Sequence, residues 1–166
     1  MRVRSMTRCA VFVGAMAVCA WLAVPLAGVP VTMQTLGLFL ALGLLGGRLG
    51  TVSVAVYLLL GAVGLPVFSG FQGGFGILFS PNGGFLWGFL LAAGAYWVLE
   101  KWVPLWGKMV LCQLILYLCG LGWFLLFCCD GLWAAAAATV LPYLAPDAAK
   151  LALSLLLTAK LSPHLH

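Results

Sequence analysis

The chain has 166 residues, of which 65% are apolar and only 7% charged, with a mean hydropathy of +1.20. That balance belongs in lipid and excludes a water-solvated domain. The net charge of +5 has no polar domain to carry a basic stripe, so it reports membrane orientation and not a nucleic-acid surface.

Six spans are expected, punctuated by Pro, Gly and charge, within a single membrane domain over residues 1–166. Arg2, Arg4 and Arg8 precede an apolar run at residues 9–27 that stops at Gly28-Val29-Pro30. This run exceeds the about 7–15 residues of a secretory h-region and no small-x-small cleavage site follows, so a retained first helix is expected. In it Ala10 and Gly14 stand four apart, a spacing of small side chains that lets a second helix approach. Internal packing and docking onto a partner membrane protein are both open readings of that pair. The second span covers residues 32–45 and ends at Gly46-Gly47-Arg48; the third covers 51–63 and ends at Gly64-Leu65-Pro66. Residues 67–84 are too glycine-rich for a regular helix and are expected to cap a cavity. The fourth span, 85–99, meets Glu100-Lys101, and the fifth, 108–129, meets Asp130-Gly131. A short alanine-rich helix at 132–140 precedes Pro142, and the sixth span runs over 147–161 to Ser162-Pro163. The expected fold is therefore an all-α membrane protein, a compact bundle of six transmembrane helices with a long outer loop between helices 3 and 4. The second, third and sixth spans are shorter than the roughly 20 residues that cross a bilayer upright.

Basic residues orient this bundle. Six crossings put Arg48, Lys101, Lys108 and Lys160 on the same face as Arg2, Arg4 and Arg8, and leave Lys150 as the exception. The expectation is an inner-membrane, multi-pass protein with both termini cytoplasmic and Asp130 outside. Trp97, Trp102 and Trp106 beside Lys101 and Lys108 read as an interfacial belt. The same count brings Gln34, the 68–82 loop, and Asp147 with Lys150 together at the outer face.

Ionisable groups are costly inside a membrane protein and are functional suspects by default. Asp147 and Lys150, three apart, share a helical face and form either a local cap and ion pair or a ligand-facing pair. In the second reading the carboxylate accepts N–H bonds and the ammonium donates to a carbonyl or carboxylate. Asn82 in Ser80-Pro81-Asn82-Gly83-Gly84 and Gln34 near Pro30 carry amides that both donate and accept; each also fits a plain turn or cap role. Phe68, Phe71, Phe75, Phe79, Phe85 and Tyr143 are candidates for an apolar lining. Nothing points to catalysis: there is no Ser–His arrangement, Walker motif, metal cluster or cofactor motif. Cys9, Cys19, Cys112, Cys119, Cys128 and Cys129 lie in apolar runs without zinc-type spacing and read as unreactive thiols.

Several segments, taken together and in order, carry a resemblance. They are Val29-Pro30-Val31-Thr32-Met33-Gln34-Thr35-Leu36, the run from Tyr57 to Phe68 containing Leu65-Pro66-Val67-Phe68, Ser80-Pro81-Asn82-Gly83-Gly84, and Pro142 to Lys150 with its Asp-x-x-Lys. Over about residues 10–160 the chain resembles the BioY family, the biotin-binding S component of energy-coupling-factor (ECF) vitamin transporters. The resemblance implies six helices and biotin binding at the outer face. It also implies partnership with an ECF transmembrane subunit and two ATP-binding subunits, docked through the small residues Ala10 and Gly14. It would place the ureido head group on Asp147 and Lys150, with Asn82 nearby and Gln34, Phe68 and Tyr143 around the ligand. The family often has Thr where Asn82 stands and Tyr where Phe85 stands, and its helix-one motif is usually Ala-xxx-Ala, with Gly14 here in place of the second Ala. Alternatives are an S component for another vitamin or a membrane scaffold in which Asp147 is only a cap.

Overall fold

Hydrophobic periodicity along the first segment produces helix α1 (Val3–Trp21), in a computed structural model that describes residues 3–26, 29–127 and 131–165. Its buried residues Cys9, Val13, Met16, Ala17 and Ala20 recur at helical spacing and form one stripe, which packs along the second helix. The helix begins earlier than the apolar run because Arg4 and Arg8 are good helix formers and stay exposed at its start.

It also ends earlier than expected. Residues 22–27 were expected as helix, yet strands β1 (Ala23–Leu26) and β2 (Val29–Thr32) pair antiparallel, with Pro25 opposite Pro30. Proline cannot continue a helix interior, and neither proline needs to donate in a two-stranded ribbon with only edges. A short apolar run does not reveal by hydrophobicity alone whether it is helix or strand.

The expected second and third spans are two arms of α2 (Gln34–Val63), broken at Gly46 with φ 78° and ψ 173°. Only glycine takes such a conformation without strain, which is why the break falls in the Gly46-Gly47 pair. Glu100 Oε1 accepts the Gly47 N–H at 2.9 Å and so satisfies a donor at the start of the second arm. The glycine-rich stretch after α2 holds 3₁₀ turns at Ser69–Phe71 and Phe75–Phe79 and a bridge between Phe68 and Gln72, irregular as its composition implied, except that the expected residues 83 and 84 already belong to the next helix. Then come α3 (Gly83–Val98), α4 (Leu105–Phe127), a short α5 (Leu132–Thr139), a 3₁₀ turn at Leu141–Tyr143 and α6 (Leu144–Leu165).

Helix α2 is the centre: α1, α3 and α6 all pack on it, and α4 lies along α3. Leu38, Phe39, Leu42, Val54, Tyr57 and Ala92 are fully buried at that centre. Leu59, Leu91, Leu118 and Leu156 are exposed on the outside, where lipid tails replace water as the solvent. Among the described residues, Val3–Trp21, Gln34–Val63, Leu105–Phe127 and Leu132–Ser162 are long and apolar enough to cross a membrane, while α3 is apolar but only 16 residues long. The protein is thus an all-helical, multi-pass membrane protein with one added β-ribbon.

Lys108 departs from expectation. It is buried, with Nζ 4.6 Å from the Tyr96 ring centroid and a 3.4 Å bond to the Glu100 carbonyl, whereas Trp97, Trp102 and Trp106 are exposed as a belt requires. Cys9 and Cys112 are buried free thiols and Cys19 and Cys119 are partly buried ones. The expectations for Arg2, Cys128, Cys129 and Asp130 lie outside the described residues.

Candidate functional site

A cavity of about 470 Å³ opens between the start of α2, the 64–82 loop, the start of α3, the middle of α4 and the start of α6. Gln34, Phe68, Asn82, Tyr143, Asp147 and Lys150 all line it. Its volume falls in the about 300–1,000 Å³ range of small-molecule sites.

The ion pair is at its polar end. Helix α6 begins at Leu144, so Asp147 stands in the first turn and Lys150 follows on the same face. Lys150 Nζ donates to Asp147 Oδ1 at 2.7 Å, and each residue is only 5% exposed. The local ion pair within α6 is present, and the carboxylate also bonds to side chains of α2 and α4. Thr35 Oγ1 reaches Oδ1 at 3.5 Å, and Gln113 Nε2 and the Tyr117 hydroxyl each donate to Oδ2 at 2.9 Å. Four donors fill the acceptor positions of one carboxylate. Thr35, Gln113 and Tyr117 also line the cavity, and the sequence reading did not single them out. The available signal was Gln113 with Tyr117, a polar pair one turn apart in an otherwise apolar span.

Gln34 serves another element of the wall. Its Nε2 donates to the Tyr57 hydroxyl at 2.8 Å, and Tyr57 donates onward to the Val67 carbonyl at 2.9 Å. The chain of bonds ties the first turn of α2 to its second arm and to the loop, in place of a cap on its own helix. Phe68 stands next to that loop carbonyl, edge-on to Tyr57 at 5.6 Å and pressed against Gly61. Asn82 is the residue before α3 and its side chain makes no cap bond there. Tyr143 comes from the 3₁₀ turn that leads into α6.

The aromatic lining is smaller than expected. Phe68, Phe85 and Tyr143 border the cavity; Phe71, Phe75 and Phe79 do not. Phe71 stacks on Trp21 at 5.0 Å and Phe75 pairs with Phe79 at 5.2 Å, all three exposed, because the 3₁₀ turns point them outward. Ala10 and Gly14 lie elsewhere, exposed on α1, and a Cβ added at Gly14 would meet nothing within 4 Å. Among the described residues, nothing packs at that glycine. Among the described residues no three His, Cys, Asp or Glu side chains group as metal ligands. Chemically, the cavity offers one charged donor, a set of polar acceptors and apolar walls for the rest of a small molecule.

Comparisons with known proteins agree with this architecture. A Pyrococcus horikoshii protein named "Probable biotin transporter BioY" is 33% identical over 97% of this chain and 98% of its own length. "Biotin transporter BioY" of Thermotoga maritima is 46% identical over 54% of this chain, a match that spans about half of that relative, 53%. A crystal structure of the S-component for biotin from an ECF-type ABC transporter superposes with a TM-score of 0.84 at 25% identity, covering 96% of this chain and 91% of the other. The BioY family itself matches residues 1–166. With every residue inside that match and a relative aligned end to end, this chain belongs to the BioY family.

Proposed function

We propose that this chain captures biotin from the outer side of the inner membrane, as the substrate-binding subunit of an ECF-type transporter. The observation that carries the reading is the buried Asp147–Lys150 pair at the end of a cavity of fitting size. Biotin joins a cyclic urea, with two N–H donors and one carbonyl, to an apolar bicycle and tail. Lys150 supplies the donor for the carbonyl, the polar wall supplies acceptors, and Phe68, Phe85 and Tyr143 supply apolar surface. The names of the relatives support the ligand. Purified protein is expected to bind labelled biotin, and right-side-out vesicles to bind it without added energy. Absence of binding to the purified protein, or preference for another vitamin, would sink the reading.

Transport needs partners on this reading: an ECF transmembrane subunit and two ATP-binding subunits, since the sequence has no nucleotide motif. Six crossings, with the arms of α2 counted separately, place both termini in the cytoplasm and the cavity outside. Reporter fusions at either end check this, and an external C-terminus would refute it. The exposed Ala10–Gly14 face of α1 is the proposed docking surface. Gly14→Phe is expected to weaken co-purification with the transmembrane partner while leaving biotin affinity near that of the parent. Full complex formation by that variant would remove α1 from the interface.

A further inference from the structure

The loop beside the cavity is inverted for a segment that meets water. Residues 64–82 join the second arm of α2 to α3, and no charged residue occurs between Arg48 and Glu100. The four polar residues of the loop, Ser69, Gln72, Ser80 and Asn82, all border the cavity. Phe71, Phe75 and Phe79 stand away from it and are 64%, 63% and 47% exposed. Phe71 does so at φ 57°, a left-handed conformation unfavourable for a bulky side chain, with its ring stacked on Trp21 at 5.0 Å. Three large apolar rings on the uncharged outside of one loop mark a surface that something apolar covers.

The backbone of the loop points to the same medium. Away from water, irregular backbone must find its hydrogen-bond partners within the protein. Three tryptophans on three helices supply donors to it. Trp21 Nε1 on α1 donates to the Pro66 carbonyl at 2.8 Å, Trp87 Nε1 on α3 to Leu78 at 3.2 Å, and Trp123 Nε1 on α4 to Ser80 at 3.0 Å. With their N–H groups so committed, these indoles have only apolar ring left to show outside. The rings of Phe75, Phe79, Trp123 and Phe127 follow one another at 5.2, 6.3 and 5.9 Å. That ladder runs from the loop onto α4, whose Leu118 and Leu126 are exposed to lipid. We propose that the outer side of residues 64–82 is seated in the membrane, at the headgroup–acyl boundary of the leaflet on the cavity side. Aromatic side chains favour that level. Lipid then backs the wall whose other side, with Phe68, Ile77 and Ser80, faces the cavity. The proposal holds whatever the ligand and does not rest on the biotin reading.

The test places a fluorescent coumarin amino acid at Phe75 and, in a second variant, at Phe79, each in the full chain purified into lipid nanodiscs. Iodide reports contact with water. Lipid carrying a nitroxide near the top of the acyl chain reports contact with the leaflet boundary. The free amino acid in buffer sets full exposure to iodide, and the same label at exposed Leu118 sets contact with lipid. Phe71, the third outward ring, replaces either loop position whose labelled protein does not fold. At both loop positions iodide quenching is expected to fall about fivefold or more below that of the free amino acid, and nitroxide quenching to come within about twofold of that at Leu118. Stronger iodide quenching or weaker nitroxide quenching at either position means that the loop faces water, and the inference is wrong.

Discussion

Asp147→Ala is expected to abolish high-affinity biotin binding, with a loss of about a hundredfold or more, the largest effect of any single change in this protein. The reason is the number of groups that one carboxylate holds. Its removal leaves the Lys150 ammonium buried without its 2.7 Å partner, and it releases Tyr117, Gln113 and Thr35 at once. Breaking a buried pair from one side costs about 3–5 kcal/mol, because the remaining charge stays out of water. A hundredfold loss corresponds to about 2.7 kcal/mol, slightly less than that cost. Asp147→Asn retains one oxygen and is expected to lose less. Lys150→Ala is expected to lose about tenfold or more: Asp147 keeps three donors, but the charged donor for the ligand carbonyl is gone. Lys160→Ala, nearly three turns beyond Lys150 and exposed, is the control and is expected to bind like the parent. Isothermal titration of the four variants checks the order Asp147→Ala, then Lys150→Ala, then Lys160→Ala. Parent-like affinity in Asp147→Ala would mean that the ion pair holds the fold and not the ligand.

Gly61→Val is the second large effect, although Gly61 does not touch the cavity. A Cβ at this position would overlap the Phe68 ring, which is itself only 2% exposed and held edge-on to Tyr57. Overpacking of this kind costs about 1–3 kcal/mol. The expected route of relief is expulsion of Phe68, which removes one wall of the cavity. It also pulls on Val67, whose carbonyl accepts the Tyr57 proton. The variant is expected to melt at lower temperature and to bind biotin at least tenfold more weakly. Combining it with Phe68→Leu is expected to recover stability but not affinity, because the smaller side chain clears the clash without restoring the wall. Recovery of both would place Phe68 outside the binding surface. A single variant that melts and binds like the parent would remove the Gly61–Phe68 contact from the account.

Much of this is legible in the chain because its signals are local. Pro, Gly and charge mark where helices stop, so Gly46-Gly47 announces the break in α2 and the 67–84 composition announces irregular backbone, although its last two glycines start α3. Asp147 and Lys150 stand out because an ion pair in an apolar helix is costly wherever it lies. The β-ribbon is not legible: residues 23–26 are as apolar as a helix end, and only pairing with 29–32 satisfies their backbone. Lys108 reads as an interfacial charge, but the fold brings Tyr96 over it.

The sequence by itself determined the solvent, the helical class, the main breaks and the polar residues that lipid would not tolerate without a reason. Tertiary structure alone decided which of those residues meet and what each has left to offer. Gln113 and Tyr117 lie 34 and 30 residues before Asp147, and Thr35 lies 112 before it. No spacing rule joins them. Hydrogen-bond capacity belongs to an atom, but whether that capacity is already taken depends on neighbours the fold brings from distant segments. A carboxylate that reads along the chain as half of an i,i+3 pair meets, in the fold, donors from α2 and α4 as well as from Lys150.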